Sequence, residues 1–275
     1  MSNNQNPRGV DRGIGTLRLL FALALVCATL AAMSWLSDAE LPTVVTPEGS
    51  SAPTSTTLGG GVAAATTTAA TTTVTEAPTD RVICIDAGHG GGFPGALASY
   101  KGETVYEKDI TLDVALRAEE LLRAKGYTVV LTRSEDKSII NTTDNIADVT
   151  ARVELAKAKG ADILVSIHCN AFTGSGRAWG PIVYYTDADK SYDGGALAEH
   201  FAACVTAETA SLGVRAARVK ADPEYAILKG KGLPTVLFES GFLTDSEELS
   251  LMMSDAWRDA MARALAQAAI SAPLD

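Results

Sequence analysis

Over the C-terminal two thirds of this 275-residue sequence, short apolar runs alternate with amphipathic stretches, and this alternation limits the fold more than any other feature. Helical periodicity is found at 108–125, 146–159 and 195–211, and a capping box at Thr244–Glu247 begins the C-terminal helices. The apolar runs predict buried strands: Arg81–Asp86, Tyr127–Thr132, Asp162–Ile167, Pro181–Tyr185 and Thr235–Phe238. Such alternation is typical of a mostly parallel twisted sheet with helices on both faces. We therefore predict a single α/β domain over residues 81–275.

Composition excludes several other classes of protein. Apolar residues make up 47% of the sequence and charged residues 20%, which allows a full hydrophobic core and argues against global disorder. The formal net charge of −10 argues against a basic nucleic-acid-binding face. Three histidines and four cysteines are too few for a zinc-finger array or a disulfide framework. At most one disulfide could join two of Cys84, Cys169 and Cys204.

The N-terminal segment predicts export. Residues 19–37 form an uncharged apolar run, close to the length of about 20 residues that spans a bilayer as a helix. Basic residues precede this run and acidic residues follow it, which places the N-terminus in the cytoplasm and the rest of the chain outside. Residues 1–39 are either a cleaved signal peptide or a membrane anchor. Either way, we expect a cell-envelope protein, secreted or tethered to the outer face of the cytoplasmic membrane.

Residues 40–80 predict a disordered linker. Thirteen threonines fall within this stretch, and most of the other residues are Ala, Pro, Gly, Ser or Val. The stretch has no helical or strand period, and it can bury too little apolar surface to offset the entropy of ordering it. We interpret it as an extended tether between the N-terminal segment and the domain.

Three reactive side chains follow predicted strands. In open α/β sheets, ligands bind beyond the carboxyl ends of the strands. His89 follows the first strand, His168 ends the third and Glu239 comes directly after the last. The remaining histidine, His200, lies in the middle of a predicted helix and is expected at its surface or boundary. Asp86, at the end of the first strand, is expected either to orient His89 or to have a structural role at the strand end.

Two imidazoles and one carboxylate, with one position left open, are typical of a catalytic zinc site. The residues alone leave the third ligand undecided among Glu103, Glu107 and Asp109. Glu107 begins the first predicted helix, where the helix N-terminus favours a negative charge. Cys169 adjoins His168, but neighbouring strand residues point to opposite faces, so its thiol is expected in the core.

Four blocks of the sequence resemble the signature motifs of a known family: Asp86–Gly91, Glu107–Asp109, Ser166–Ala171 and Glu239–Leu243. In chain order they resemble the motifs of the zinc-dependent N-acetylmuramoyl-L-alanine amidases of type 3, which are cell-wall hydrolases, over about residues 81–271. Leu131–Arg133, Arg152 and Leu233–Pro234 match in order as well. The loop Gly92–Ala96 departs from the family pattern, which affects expected substrate contacts more than metal binding.

The resemblance implies a specific activity and site. The family's zinc ligands fall on His89, Glu107 and His168, and its catalytic acid/base falls on Glu239. The implied substrate is peptidoglycan, cut at the amide bond between N-acetylmuramic acid and L-alanine during cell-wall remodelling or daughter-cell separation. One zinc ion is the implied cofactor. No obligate protein partner is evident from the sequence, and residues 19–37 are a possible membrane anchor.

The sequence also allows three other interpretations. The pattern G-x-G-x-x-G in Gly90–Gly95 suggests a dinucleotide-binding enzyme, but these glycines begin four residues past Asp86 and no helix start follows them. A non-catalytic protein with the amidase fold could bind peptidoglycan or a partner. The same metal site could also cut a peptide crosslink, as an endopeptidase does. Detection of the released fragments separates the last two from the amidase.

Overall fold

The structure, a computed structural model, describes residues 80–274. The predicted segments 1–39 and 40–80 lie outside the described residues, apart from residue 80. The strands are β1 Val82–Ala87, β2 Leu97–Tyr100, β3 Glu103–Tyr106, β4 Thr128–Leu131, β5 Ile163–Asn170, β6 Ile182–Tyr185, β7 Arg218–Ala221 and β8 Thr235–Phe242. The α-helices are α1 Glu107–Ala124, α2 Asn145–Ala158, α3 Gly194–Thr209, α4 Ser246–Met252 and α5 Asp255–Ile270.

Six of these eight strands form one mixed but mostly parallel sheet, in the order β4-β1-β5-β8-β6-β7. Strands β4, β1, β5 and β8 run parallel to one another. Strand β6 is antiparallel to β8, and β7 is parallel to β6. The predicted α/β class with a mostly parallel sheet is confirmed. The carboxyl ends of β1, β5 and β8 therefore meet at one edge of the sheet.

Alternation along the central strands fills a core on each face of the sheet. Ile83 and Ile85 of β1 pack in a large cluster with residues of α1, α3 and α5. Cys84, between them, belongs to a smaller cluster with Val153 of α2 and with Leu228. Because neighbouring strand residues point to opposite faces, strands covered by helices on both sides are apolar throughout. This explains why the sequence shows continuous apolar runs.

Three strands were missing from the sequence prediction. Strands β2 and β3 form a separate antiparallel hairpin, closed by a turn at Lys101 and Gly102. Both residues of the turn have a positive φ. Each strand is only four residues long and mixes polar with apolar residues, and only Val105 is buried, so they lack the continuous apolar run of a buried strand. Strand β7, at the edge of the sheet, has only Val219 as a half-buried large apolar residue.

The predicted capping box is displaced by one residue. The N-cap of α4 is Asp245, whose side chain accepts hydrogen bonds from the main-chain N–H groups of Glu247 and Glu248. Thr244, the predicted cap, instead accepts a hydrogen bond from the N–H of Phe172. Thr244 and Asp245 are both favoured cap residues, and the sequence around them did not distinguish the two.

The described residues also bear on two smaller predictions. Cys84, Cys169 and Cys204 are free thiols, so no disulfide joins them in this structure. Among the helices between residues 80 and 274, none is both long and apolar enough to cross a membrane. The apolar run 19–37 lies outside the described residues, and its role stays a prediction.

Candidate metal centre

His89 lies in the loop after β1, in a conformation that is rare for its residue type. Its φ is 62°, in the left-handed region that side chains other than glycine seldom occupy. Its carbonyl oxygen accepts a hydrogen bond from Arg152 at 2.7 Å. Gly88, directly before it, has no room for a side chain, because a Cβ atom there would lie 2.5 Å from the ring of His168. The loop therefore brings the two imidazoles together.

Glu107, the first residue of α1, is only 3% exposed. Its Oε2 accepts a hydrogen bond from the N–H of Ala96 at 2.7 Å, and its Oε1 accepts one from the N–H of Cys169 at 2.9 Å. Gly95 makes this approach possible, since a Cβ atom there would lie 2.5 Å from Oε2. The helix N-terminus and two main-chain donors thus hold this carboxylate in one orientation.

His89, Glu107 and His168 converge on one point. His168 Nδ1 lies 3.0 Å from Glu107 Oε1 and 3.2 Å from His89 Nε2. His89 Nε2 lies 3.1 Å from the same carboxylate oxygen. Within residues 80–274, this is the one group of three or more histidine, cysteine or acidic residues with ligand atoms close enough to share a metal ion. Glu103 and Asp109, the other candidate ligands, are exposed and outside this group.

The donor set fits a metal ion. Ligand atoms about 2.1 Å from a tetrahedral zinc ion are separated by about 3.4 Å, close to the three observed distances. Burial would raise the pKa of Glu107, but its hydrogen bonds and attraction to the two imidazoles hold that pKa below its ordinary value. Burial works against a charge on His168, yet Glu107 outweighs it and raises the pKa of His168. This carboxylate is therefore ionised and available as a ligand.

Glu239 lies beside this cluster on the neighbouring strand. It is paired in register with His168, β8 against β5, and it is 8% exposed. Within the described part of the chain, its Oε2 is the one buried side-chain nitrogen or oxygen atom without a hydrogen-bond partner. Burial raises the pKa of Glu239 to about 7, with His168 opposing that rise and Glu107 adding to it. A carboxyl group with such a pKa can both accept and donate a proton near neutral pH.

Comparison with known protein families assigns the chain to one of them. The sequence profile of the family described as N-acetylmuramoyl-L-alanine amidase (Amidase_3) matches residues 83–271. The chain belongs to this amidase family. The match covers nearly all of the described residues and includes the three clustered side chains and Glu239.

Named relatives of this amidase-family chain are N-acetylmuramoyl-L-alanine amidases. It is 32% identical over 189 residues to the N-acetylmuramoyl-L-alanine amidase LytC of Bacillus subtilis (strain 168), covering 69% of this chain and 35% of LytC. It is 28% identical over 225 residues to the amidase AmiC of Neisseria meningitidis, covering 67% of this chain and 51% of AmiC. The chain thus spans about a third of one relative and half of the other.

Solved amidase structures share the fold. The amidase AmiC2 of Nostoc punctiforme is 29% identical and superimposes with a TM-score of 0.57, covering 70% of this chain and 97% of that one. The catalytic domain of the amidase CwlV from Paenibacillus polymyxa is 27% identical, with a TM-score of 0.57. The match covers 68% of this chain and 95% of the CwlV domain. Both are similar to this chain over nearly the whole of their own length.

Asp86 has a structural role in this amidase-family domain. Its carboxylate accepts hydrogen bonds from Thr132 and Ser166, both at 2.6 Å, and from Arg152 at 2.8 Å. All four residues are buried. The sequence allowed Asp86 either to orient His89 or to have a structural role at the strand end. The structure shows the structural role, because Asp86 bonds to residues of neighbouring segments and not to His89. Sequence reasoning did not predict the ion pair between Arg152 and Asp86, although the match of Arg152 to the family pattern indicated that this residue has a role.

An open cavity of about 460 Å³ lies over the cluster. His89, Glu107, His168 and Glu239 line it, together with Val149 and Tyr225 among others. Two other residues singled out from the sequence, Cys169 and His200, are not part of the cluster. The Cys169 thiol packs against Ser240 in the core at 3.3 Å, as predicted, and His200 bonds to Ala268 and Ser271 at the end of α5.

Proposed function

We propose that this chain hydrolyses the amide bond between N-acetylmuramic acid and L-alanine in peptidoglycan, using one zinc ion held by His89, Glu107 and His168. The observation that carries the proposal is the convergence of three ligand atoms, 3.0–3.2 Å apart, beside the buried carboxyl group of Glu239. Membership of the amidase family supports the same activity.

Each residue has a distinct task in the proposed reaction. A bound zinc ion would polarise the scissile carbonyl and lower the pKa of water to about 7. Glu107 supplies the one negative charge among the three ligands, and its two main-chain donors fix its direction. His89 and His168 would hold the ion as neutral imidazoles, and both line the cavity.

Glu239 manages the proton in the proposed reaction. Hydrolysis of an amide requires a base to take a proton from the attacking water and an acid to protonate the leaving amine. The free Oε2 of Glu239 can accept that proton and then donate it to the nitrogen of L-alanine. Before a metal binds, burial raises the pKa of Glu239 to about 7, close to the range that suits both steps. No serine or cysteine nucleophile is needed.

The products of the reaction test this function. The full chain, purified in detergent, should release stem peptides that begin with L-alanine when incubated with peptidoglycan. A chelator should abolish the release, and added zinc should restore it, because the proposed hydrolysis depends on the bound metal. Mass spectrometry of the fragments is the measurement. Fragments cut at a peptide crosslink would instead show an endopeptidase, and zinc binding without any cleavage would show a binding protein.

Replacing Glu107 with alanine tests the third ligand. We expect zinc occupancy to fall well below one ion per chain, because the cluster loses its only carboxylate. The matched control is Asp109→Ala, which changes an exposed acid in the same first turn of α1 and should keep full occupancy. Metal analysis by mass spectrometry measures both. Unchanged zinc in Glu107→Ala would move the assignment to Glu103 or Asp109.

We further propose that the chain acts in the cell envelope. Export follows from residues 1–39 as a signal peptide or anchor, with 40–80 as the tether and 81–275 as the catalytic domain. N-terminal sequencing of protein from a cell-envelope fraction would test it. A protein found only in the cytoplasm would contradict export.

A further inference from the structure

Arg133, just past β4, is a buried arginine that bonds almost entirely to the main chain. It is 2% exposed. Its guanidinium donates to the carbonyl oxygens of Ala87 at 2.9 Å, Gly88 at 3.0 Å and Lys108 at 2.7 Å. It also donates to the carbonyl of Glu135 and to the hydroxyl of Thr111. Among residues 80–274, none of its hydrogen-bond acceptors is a carboxylate.

These acceptors lie next to two of the proposed metal ligands. Ala87 and Gly88 directly precede His89, and Lys108 directly follows Glu107. One planar guanidinium therefore joins the loop that carries the first ligand to the helix that carries the second. An arginine fork holds several acceptors in fixed directions, which a lysine ammonium cannot do.

Arg152 continues this arrangement along the same loop. It donates to the carbonyls of Ala87 and His89, each at 2.7 Å. Together the two arginines hold three consecutive carbonyl groups, Ala87–His89, and His89 has a positive φ. Such a backbone conformation is strained and persists only where its surroundings enforce it. The arginines supply contacts that enforce it.

We infer that Arg133 is a positioning residue, which sets the separation of His89 and Glu107 so that both can bind one zinc ion. This inference rests on the proposed function. Arg133 does not touch the metal or the substrate in this account, and it acts through the main chain of the two ligand segments. Residues that orient metal ligands typically change metal affinity by about 10–100-fold when they are replaced.

The test compares Arg133→Lys with Arg81→Lys in the full chain. Arg81 also donates to three main-chain carbonyls, those of Ala269, Ile270 and Ala272, but at the end of α5. We expect Arg133→Lys to weaken zinc binding by about 10–100-fold, measured by competition with a chromophoric chelator. We also expect it to change the visible spectrum of the cobalt-substituted protein. Arg81→Lys should change neither, even if both variants lower the Tm of the metal-free chain.

A milder variant keeps the test available if Arg133→Lys does not fold. The hydroxyl of Thr111, on α1, donates to the carbonyl of Gly88 at 2.8 Å and accepts from Arg133. Thr111→Val keeps the shape and removes these bonds, together with a contact to the carbonyl of Lys108 at 3.1 Å, so we expect a smaller, severalfold loss of zinc affinity. Thr209→Val is its control, because that buried hydroxyl bonds to Val205 within α3.

The outcomes separate this inference from the proposed function. If the parent chain binds one zinc ion and both Arg133→Lys and Thr111→Val bind it equally, with unchanged cobalt spectra, the inference is wrong and the zinc site stands. If the parent chain binds no zinc at this cluster, the proposed function and the inference fall together. Weakened binding with an altered spectrum, absent from both controls, supports the inference.

Discussion

Replacing Glu239 with glutamine is expected to lower kcat by about 10³-fold while one zinc ion stays bound to each chain. Glutamine has nearly the same shape but cannot accept or donate a proton at Oε2. That atom makes no hydrogen bond within residues 80–274, so the substitution breaks none there and the fold should persist. Steady-state rates on peptidoglycan, read beside metal content, measure the effect.

The control for Glu239→Gln is Glu247→Gln, which removes a mostly exposed carboxylate of α4. It should leave both rate and zinc content near the parent values. A near-normal rate in Glu239→Gln would remove the acid/base assignment. Loss of zinc in that variant would instead make Glu239 a ligand, and the proposed division of tasks between the four residues would have to change.

Replacing His168 with alanine is expected to lower both metal binding and activity strongly. The site would keep two of its three donors, and we expect zinc affinity to fall by more than about 100-fold, the upper end for residues that only support a ligand. Metal analysis, zinc titration and fragment release measure the loss. Circular dichroism shows whether the sheet is intact, since His168 lies within β5.

The third histidine offers a matched control for that variant. His200 is on α3 and bonds to the carbonyl of Ala268 and to Ser271, away from the cavity. His200→Ala removes an equal imidazole and should keep zinc and activity. Equal losses in the two variants would indicate a general effect on folding and would contradict a specific role for His168.

The sequence could predict the sheet because its central strands are buried on both faces. Continuous apolar runs mark β1, β5 and β8, and the rule for open sheets then places His89, His168 and Glu239 at one edge. The hairpin β2–β3 and the edge strand β7 could not be found in this way. They are largely exposed, so burial does not impose a pattern on their residues.

The third member of the cluster shows where sequence reasoning stops. Glu103, Glu107 and Asp109 are acids close together in the sequence, and their residue type does not distinguish them. What distinguishes Glu107 is the pair of main-chain donors that hold its carboxylate, from Ala96 and from Cys169. The second contact joins residues 62 positions apart, and only the folded chain shows it.

The sequence likewise did not predict the hydrogen bonds by which Arg133 holds the loop before His89. Arg133 is an ordinary basic residue after a strand until its carbonyl partners are known. Its acceptors at Ala87, Gly88 and Lys108 carry no side-chain signal, because any residue offers a main-chain carbonyl. Matching of this position to the family indicated importance but not the contact.

We propose that one zinc ion is bound jointly by His89, Glu107 and His168. An anomalous-scattering crystal structure of the full chain, with data collected on both sides of the zinc absorption edge, tests it most directly. We expect a single zinc peak about 2.0–2.2 Å from His89 Nε2, His168 Nδ1 and a carboxylate oxygen of Glu107. A zinc peak on other residues, or imidazoles turned away from a common point, would contradict it.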